Sequence, residues 1–496
     1  METLQKVVDF LGSSPFGVWG WPTIILILGT GIFMTVRLRA LQVTRFGHAL
    51  KVTIIPTIKS MGKKKDNNGE KTISQFEAFS AAISGTIGTG NIIGVTSAIL
   101  TGGPGAVFWM WVSAFFGMVT NYTENVLGLY YRKKDKDGNF SGGAMYYISE
   151  GLKLKWLGYV AAVFCVVAAI GMSSVQTNKI SGTITSAVNN DTTALKLIIG
   201  IVVAVIIALI IIGGIKRIGK VASILVPFMT ILFFIMAIIV LCVHITAIPA
   251  AFGMIFRYAF NFKSAAGGIF GYATAQIIRK GMARGVFSNE AGLGSSVIAH
   301  SASETREPVK QGLWGVFEVF LDTFVVCTLA ALIVLVSYDV SVFTGAESDT
   351  AVAIGAFSSN FGTFGTVVFS TILPVFAFTT ILAWSYYGEK SAEFLAQKLG
   401  ERGQKITVLI FKILYVALIV VAAVINSELA WAISDISNAL MAFPNLIAVI
   451  GLSGIVVKIT NNYIKRHIKG EDVEPMLSAY EDLNAEMAED IKNGKG

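Results

Sequence analysis

Two stretches of this 496-residue chain put polar, helix-breaking residues inside apolar segments. The first runs Ser84, Gly85, Thr86, Ile87, Gly88, Thr89, Gly90, Asn91. The second, residues 285–303, reads GVFSNEAGLGSSVIAHSAS and carries Asn289, Glu290, Gly292 and Gly294. A glycine inside a helix costs about 1 kcal/mol relative to alanine. Open backbone at membrane depth is tolerated only where it is buried in protein or lines a cavity. There it can do chemistry. A half-helix that begins offers N–H groups and positive potential to an anion, and one that ends offers carbonyl oxygens to a cation.

The elements that carry these breaks are membrane spans. The chain is 54% hydrophobic and 14% charged, against about 25% charged for a soluble domain. Apolar runs near the bilayer-crossing length predict eleven helices, at about 17–37, 73–100, 104–132, 156–186, 195–214, 217–243, 264–303, 311–338, 363–394, 406–425 and 428–457. The fold class is therefore an all-α polytopic membrane protein. Loops such as YRKKDKDGNF and GIKRIGK are basic, whereas SAVNNDTT and SYDVSVFTGAESD are neutral or acidic. The positive-inside rule then puts the N-terminus outside and the C-terminus in the cytoplasm of a cell-membrane protein. Each break opens a run of five spans, and an odd number of spans lies between them, so the two halves are inverted. Glycine-interrupted spans at matching places in inverted halves point to a transporter's binding site. Four regions follow: 1–71 with the first span and a basic loop, 72–243 with the first five-helix repeat, 244–457 with an outer surface helix and the second repeat, and a solvated tail from 458 to 496. The start of the chain shows no basic region followed by a short apolar core, so no signal peptide is expected.

Other classes fit poorly. The net charge of +8 follows from basic cytoplasmic loops and does not call for nucleic acid. Cys165, Cys242 and Cys327 lie in apolar spans at no metal-ligand spacing. No nucleophile–base pair, phosphate loop or metal cluster suggests an enzyme or a bound cofactor. A channel is the main rival, and a substrate-sensing receptor a more distant one.

Residues 102–117, GGPGAVFWMWVSAFFG, resemble the signature of the alanine or glycine:cation symporter family. GTIGTGNIIGV, ARGVFSNEAGLGS and ILAWSYYGEK are similar to that family in the same order, over about residues 15–460. One segment departs: Ser173 and Ser174 stand where the family has Gly and Asn, ahead of Gln176 and Asn178. The resemblance implies the five-plus-five inverted-repeat core of the bacterial leucine transporter, one extra N-terminal helix, alternating access, and coupling to sodium or protons. The reading is a symporter that imports alanine or glycine with sodium; a proton-coupled or uncoupled transporter is the alternative.

A zwitterion needs a clamp for each charge. The N–H groups of Thr89, Gly90 and Asn91 suit the carboxylate. Carbonyls near Thr86, Phe287 and Ser288 suit the ammonium, and Gln176 and Asn289 are further substrate-binding candidates. Phe287 and Trp384 are bulky enough to restrict the side-chain pocket. Sodium, a hard cation, takes oxygen ligands; the hydroxyls of Thr379 and Thr380 can meet the carbonyls of Ser84 and Ile87. The resemblance implies the same cation site. Among ionisable residues within spans, Glu124, Glu290, Glu318, Asp322 and Asp435 are functional candidates, Glu290 foremost.

Overall fold

The computed structural model describes residues 17–60, 73–134, 138–260, 269–338 and 348–493. The extreme N-terminus read for a signal peptide and the last part of the basic loop lie outside them. The chain is helical almost throughout: α1 (Trp21–Arg37), α2 (Gln75–Thr86), α3 (Ile93–Gly102), α4 (Ala106–Tyr130), α5 (Lys155–Ala187), α6 (Thr193–Ile211), α7 (Gly214–Val243), α8 (Ile248–Ala259), α9 (Ile269–Asn289), α10 (Pro308–Ser337), α11 (Asp349–Leu395), α12 (Gln397–Ala422), α13 (Ser427–Gly451), α14 (Ser453–Ile464) and α15 (Glu481–Lys492). Among the described residues seven of these are long and apolar enough to cross a membrane, and the pair Gln75–Thr86 and Thr89–Gly102, bent by 57°, makes an eighth.

The helices divide by what they face. α6 and α7 keep Val202, Val205, Leu209, Ile231 and Ile238 exposed on their outer sides. Apolar residues on every face suit a helix between protein and lipid. α5, α10 and α11 are more deeply set, and α5 packs along both α11 and α13. α2 can sit in the centre because its inward residues are small: Ala78, Ala81, Ala82, Ser84 and Gly85 are all buried. Its start is fixed by a capping box. Glu77 N donates to Ser74 Oγ at 3.2 Å, and Ser74 N donates to the Glu77 carboxylate at 2.8 Å, satisfying two otherwise orphaned N–H groups.

Three features differ from the sequence reading. The helix expected at 363–394 runs from Asp349 to Leu395 and is interrupted by Gly362, whose φ of 59° no longer follows the helix. The seventh expected span is helical only to Asn289; beyond the break it resumes for four residues, Val297–His300. The C-terminal tail is docked rather than solvated. Ala479 N donates to Tyr130 O at 2.9 Å, and Leu477 and Met487 are buried against Phe140.

The glycine-rich segment before α4 is explained by packing. Gly103 has a φ of 74°, a conformation other L-residues rarely adopt. A Cβ on Gly105 would lie 2.4 Å from the Ala259 nitrogen and from the Tyr258 carbonyl carbon, so α8 rests directly on this backbone. Phe108 packs edge-on to Phe256 and Phe260 of the same region, and Trp111 Nε1 donates to Thr328 Oγ1 at 2.8 Å. The Trp-Met-Trp run thus joins helices. Gly105→Ala should destabilise the protein by about 1–3 kcal/mol, the usual range for overpacking. Thermal unfolding in detergent checks this; an unchanged midpoint would contradict the α8 contact.

Candidate functional site between the two broken helices

α2 stops at Thr86 because Ile87 (ψ 93°) and Gly88 (φ −137°, ψ −153°) are extended, and a 3-10 turn, Thr89–Asn91, leads into α3. The opened backbone is held by side chains from afar. Gly88 N donates to Asn91 Oδ1 at 2.9 Å, and Thr89 N donates to Gln176 Oε1 of α5 at 3.1 Å. The Thr380 hydroxyl of α11 reaches the Ser84 carbonyl at 2.9 Å while also bonding back to the Phe376 carbonyl at 3.1 Å. Gly88 is required by this crowding: a Cβ there would come within 2.5 Å of Thr380 Oγ1 and 3.2 Å of Gln176 Oε1.

The second break is a run of left-handed backbone at Glu290 (φ 55°), Gly292 (φ 94°) and Gly294 (φ 70°). A non-glycine residue there is strained by about 1–3 kcal/mol and persists only where its surroundings over-determine it. Glu290 meets that condition. Its carboxylate accepts from Trp384 Nε1 at 2.8 Å and from Ser295 Oγ at 2.6 Å. Asn445 of α13 donates to the Gly292 carbonyl at 2.8 Å and to Glu124, and Tyr147 donates to Asn445 Oδ1.

One carboxylate ties the two breaks together. Asp322 lies on a π-helical turn, Phe320–Cys327, in the middle of α10, a distortion that recurs at functional sites. It accepts from Asn91 Nδ2 at 2.5 Å, from Ser288 Oγ at 2.9 and 3.1 Å, and from Thr323 Oγ1 at 2.8 Å. These donors are neutral. Glu124, Glu290, Glu318 and Asp322 are all 1% exposed or less. Glu318 meets a titratable base, His300 Nε2, at 2.8 Å.

A layered cover lies over Gly90. A Cβ on Gly90 would sit 3.0 Å from the Phe287 ring, and Phe287 packs on Trp431 with centroids 4.8 Å apart. The Arg284 guanidinium lies 4.0 Å from the Trp431 ring centre and pairs with Asp435 at 3.0 Å. On the opposite side of the break, the position of a Cβ on Gly85 falls 2.9 Å from the Tyr387 hydroxyl and 3.4 Å from Glu290 Oε1. Trp384, fully buried, stands with Tyr387 at 5.4 Å between centroids.

The residues singled out from sequence therefore fall into groups. Ser84, Gly88, Thr89, Gln176 and Thr380 converge at the first break. Asn91 and Ser288 converge on Asp322. Phe287 covers Gly90, and Trp384 belongs to the Glu290 side. Others turn elsewhere. The Thr89 N–H expected to clamp a carboxylate is taken by Gln176, although Thr89 Oγ1 is buried without a partner. The Asn91 N–H bonds to the Gly88 carbonyl at 3.4 Å. Asn289 secures the break itself, donating to Thr323 Oγ1 at 3.2 Å and accepting from Ala291 N at 3.1 Å. Thr86 and Thr379 bond back to the carbonyls of Ile83, at 3.1 Å, and Phe376, at 2.9 Å, in their own helices, and the Ile87 side chain is fully buried. Sequence reasoning did not single out Trp431, Arg284, Tyr387 or Asn445. Their signal is weak, a lone polar or aromatic residue in a span. Among the described residues no group of three or more His, Cys, Asp or Glu could hold a metal.

The chain is similar to several known proteins. The chain is 41% identical over 452 residues, 90% of its length and 95% of the relative, to a protein of Methanococcus maripaludis named sodium/alanine symporter AgcS. It is 40% identical over 471 residues, 94% of its length and 97% of the relative, to an uncharacterised transporter of Haemophilus influenzae. The solved structure of MhsT in complex with L-phenylalanine superposes with a TM-score of 0.56 at 14% identity, covering 79% of this chain and 99% of that one. That likeness speaks to the fold alone, which this chain shares with MhsT. The profile of the sodium:alanine symporter family matches residues 1–477, and the chain belongs to that family of membrane transporters.

Proposed function

We propose that this protein imports alanine or glycine together with sodium, by alternating access, through eleven spans with the N-terminus outside and the C-terminus in the cytoplasm. The observation that carries the reading is the Thr380–Ser84 contact at 2.9 Å. It sets a hydroxyl of α11 against the last carbonyls of α2, where the first broken helix offers its negative end. A sodium ion held by Ser84, Ile87, Thr379 and Thr380 would bridge the broken helix to α11, so binding it favours one relative position of the two. The amino acid would lie beside it. The Thr89 hydroxyl and the N–H groups at Thr89, Gly90 and Asn91 would take its carboxylate once Gln176 yields. Carbonyls at Thr86, Phe287 and Ser288 would take its ammonium. Phe287 under the Arg284–Asp435 pair is suited to close the outer side. The name of the Methanococcus relative, a sodium/alanine symporter, supports the same substrate.

A second reading, proton coupling, is favoured by Glu290, Glu318 and Asp322, carboxyl groups buried without Lys or Arg partners among the described residues. Uptake driven by an imposed pH gradient in the absence of sodium would select it.

Three outcomes are expected. Thr380→Ala should raise the sodium concentration for half-maximal uptake about tenfold, the order expected for one lost polar contact to a charge. Alanine affinity at saturating sodium should move less. An unmoved sodium dependence would place the cation elsewhere. Trp384→Ala should weaken alanine binding and let leucine compete, while Trp384→Phe, which keeps a ring, should retain the narrow profile; identical competition profiles in both variants would remove Trp384 from the pocket. In proteoliposomes one sodium per zwitterion carries one charge. A tenfold sodium gradient supplies about 1.4 kcal/mol and 100 mV, inside negative, about 2.3 kcal/mol. Together these would concentrate alanine on the order of 500-fold. Alanine that merely equilibrates whatever the gradient would mean a channel or uniporter.

A further inference from the structure

The segment that leads into the first broken helix and the segment that follows the second break meet at one end of the molecule, and the C-terminal tail is fastened over the meeting point. Ile73, just before α2, forms a parallel bridge with Ser303, and Glu304 N donates to the Ile73 carbonyl at 2.8 Å. Arg132, 1% exposed, donates to the carbonyls of Ser301 (3.2 Å), Ser303 (2.7 Å) and Thr305 (2.5 Å). Its guanidinium lies 3.7 Å from the centre of the Phe140 ring.

Phe140 has two further sets of neighbours. With Ile73, Ala302, Ile215 and Tyr386 it lines a cavity of about 240 Å³. It also packs in a small apolar cluster with Leu477 and Met487 of the tail. The tail is bolted on at both ends. Arg466 grips Glu307 with two bonds, at 2.6 and 2.9 Å, and Glu307 is 3% exposed at its side chain. Asp490 pairs with Arg306 at 3.0 Å, and Glu486 pairs with Lys134. Between them Asn484 Oδ1 accepts from Leu477 N (2.8 Å) and Ser478 N (3.2 Å), which shapes the crossing strand.

We infer that the C-terminal segment 465–492 is a latch on the inner gate: it holds Phe140 and the 303–307 strand against Ile73, and it must loosen before the cavity can connect the broken helices to the cytoplasm. The inference rests on the orientation and transport cycle proposed above, which make this end the exit. The physical basis is additive. Removing one partner of a buried ion pair leaves the other uncompensated, and taking away Leu477 and Met487 strips the apolar support from one side of Phe140. Both changes destabilise the closed gate without touching the breaks. The tail contacts are charged at their ends and apolar in the middle, the composition of a reversible interface rather than a core.

The test is thiol accessibility at the gate. Ile73→Cys, in a Cys242→Ser background of the full-length protein, is purified in detergent and labelled with a maleimide. Labelling should be slow in the full-length protein. It should speed up about tenfold or more when residues 471–496 are removed, and likewise in Arg466→Ala, as expected when a closed population is released. Glu307→Gln, which keeps the shape of the side chain and loses its charge, serves if truncation fails to fold, as judged by size-exclusion and thermal unfolding. Rates within twofold of the full-length protein in every folded variant overturn the latch. Failure of the transport reading looks different: sodium and alanine would then leave the labelling rate of the full-length protein unchanged, whatever the tail does.

Discussion

Everything in the centre of this protein depends on one constraint: two stretches of backbone open among buried helices, and their freed groups must be satisfied by side chains. The partners come from distant parts of the chain. Gln176 answers the Thr89 N–H, Thr380 the Ser84 carbonyl, and Asn445 the Gly292 carbonyl. An unpaired backbone group in such a setting costs several kcal/mol. The arrangement is therefore stable only while α2, α5, α11 and α13 keep their places, and a ligand that supplies replacement contacts changes which placement is favoured. That is the physical content of coupling: one ligand alters the terms on which the next one binds.

The same constraint explains the glycines. Gly88 and Gly90 are small because Thr380, Gln176 and Phe287 approach the backbone closely. Gly292 and Gly294 are glycine because the chain there is left-handed. Glu290, in the same conformation without that freedom, is pinned by Trp384 and Ser295. Asp322 then links the breaks to each other through Asn91 and Ser288, so neither half-helix can shift without disturbing the other.

Much of this was legible in the sequence. Glycine and hydroxyl residues inside apolar runs marked both breaks, and the apolar runs marked the helices around them. Phe287, Asn91 and Ser288 were legible because they flank the breaks in the sequence; Gln176 and Thr380, inside α5 and α11, came from the resemblance to the family. What escaped were pairings between residues far apart in the chain. Asn91 and Asp322 are 231 positions apart, and no local pattern reports such a meeting, whereas the meeting of Thr380 with the Ser84 carbonyl, 296 positions away, was expected. Trp384 looked like a wall of the pocket, and its Nε1 bond to Glu290 ties it to the second break. Asn289 bonds across to Thr323 of α10 as well as to Ala291 of its own break, and Thr379 bonds back one turn to Phe376. The tail misled for a related reason. Its charge suggests solvent, but Glu486 and Asp490 face Lys134 and Arg306, and Leu477 and Met487 are the residues that dock.

The central claim is that sodium and the amino acid bind to one interdependent pair of broken helices. Equilibrium binding tests it without transport: alanine affinity measured in sodium-free and sodium-saturated buffer, and sodium affinity measured with and without saturating alanine, both on the purified protein. Linkage requires the two ratios to be equal, and shared backbone groups predict a ratio on the order of tenfold or more. An alanine affinity that is the same with and without sodium would contradict the account.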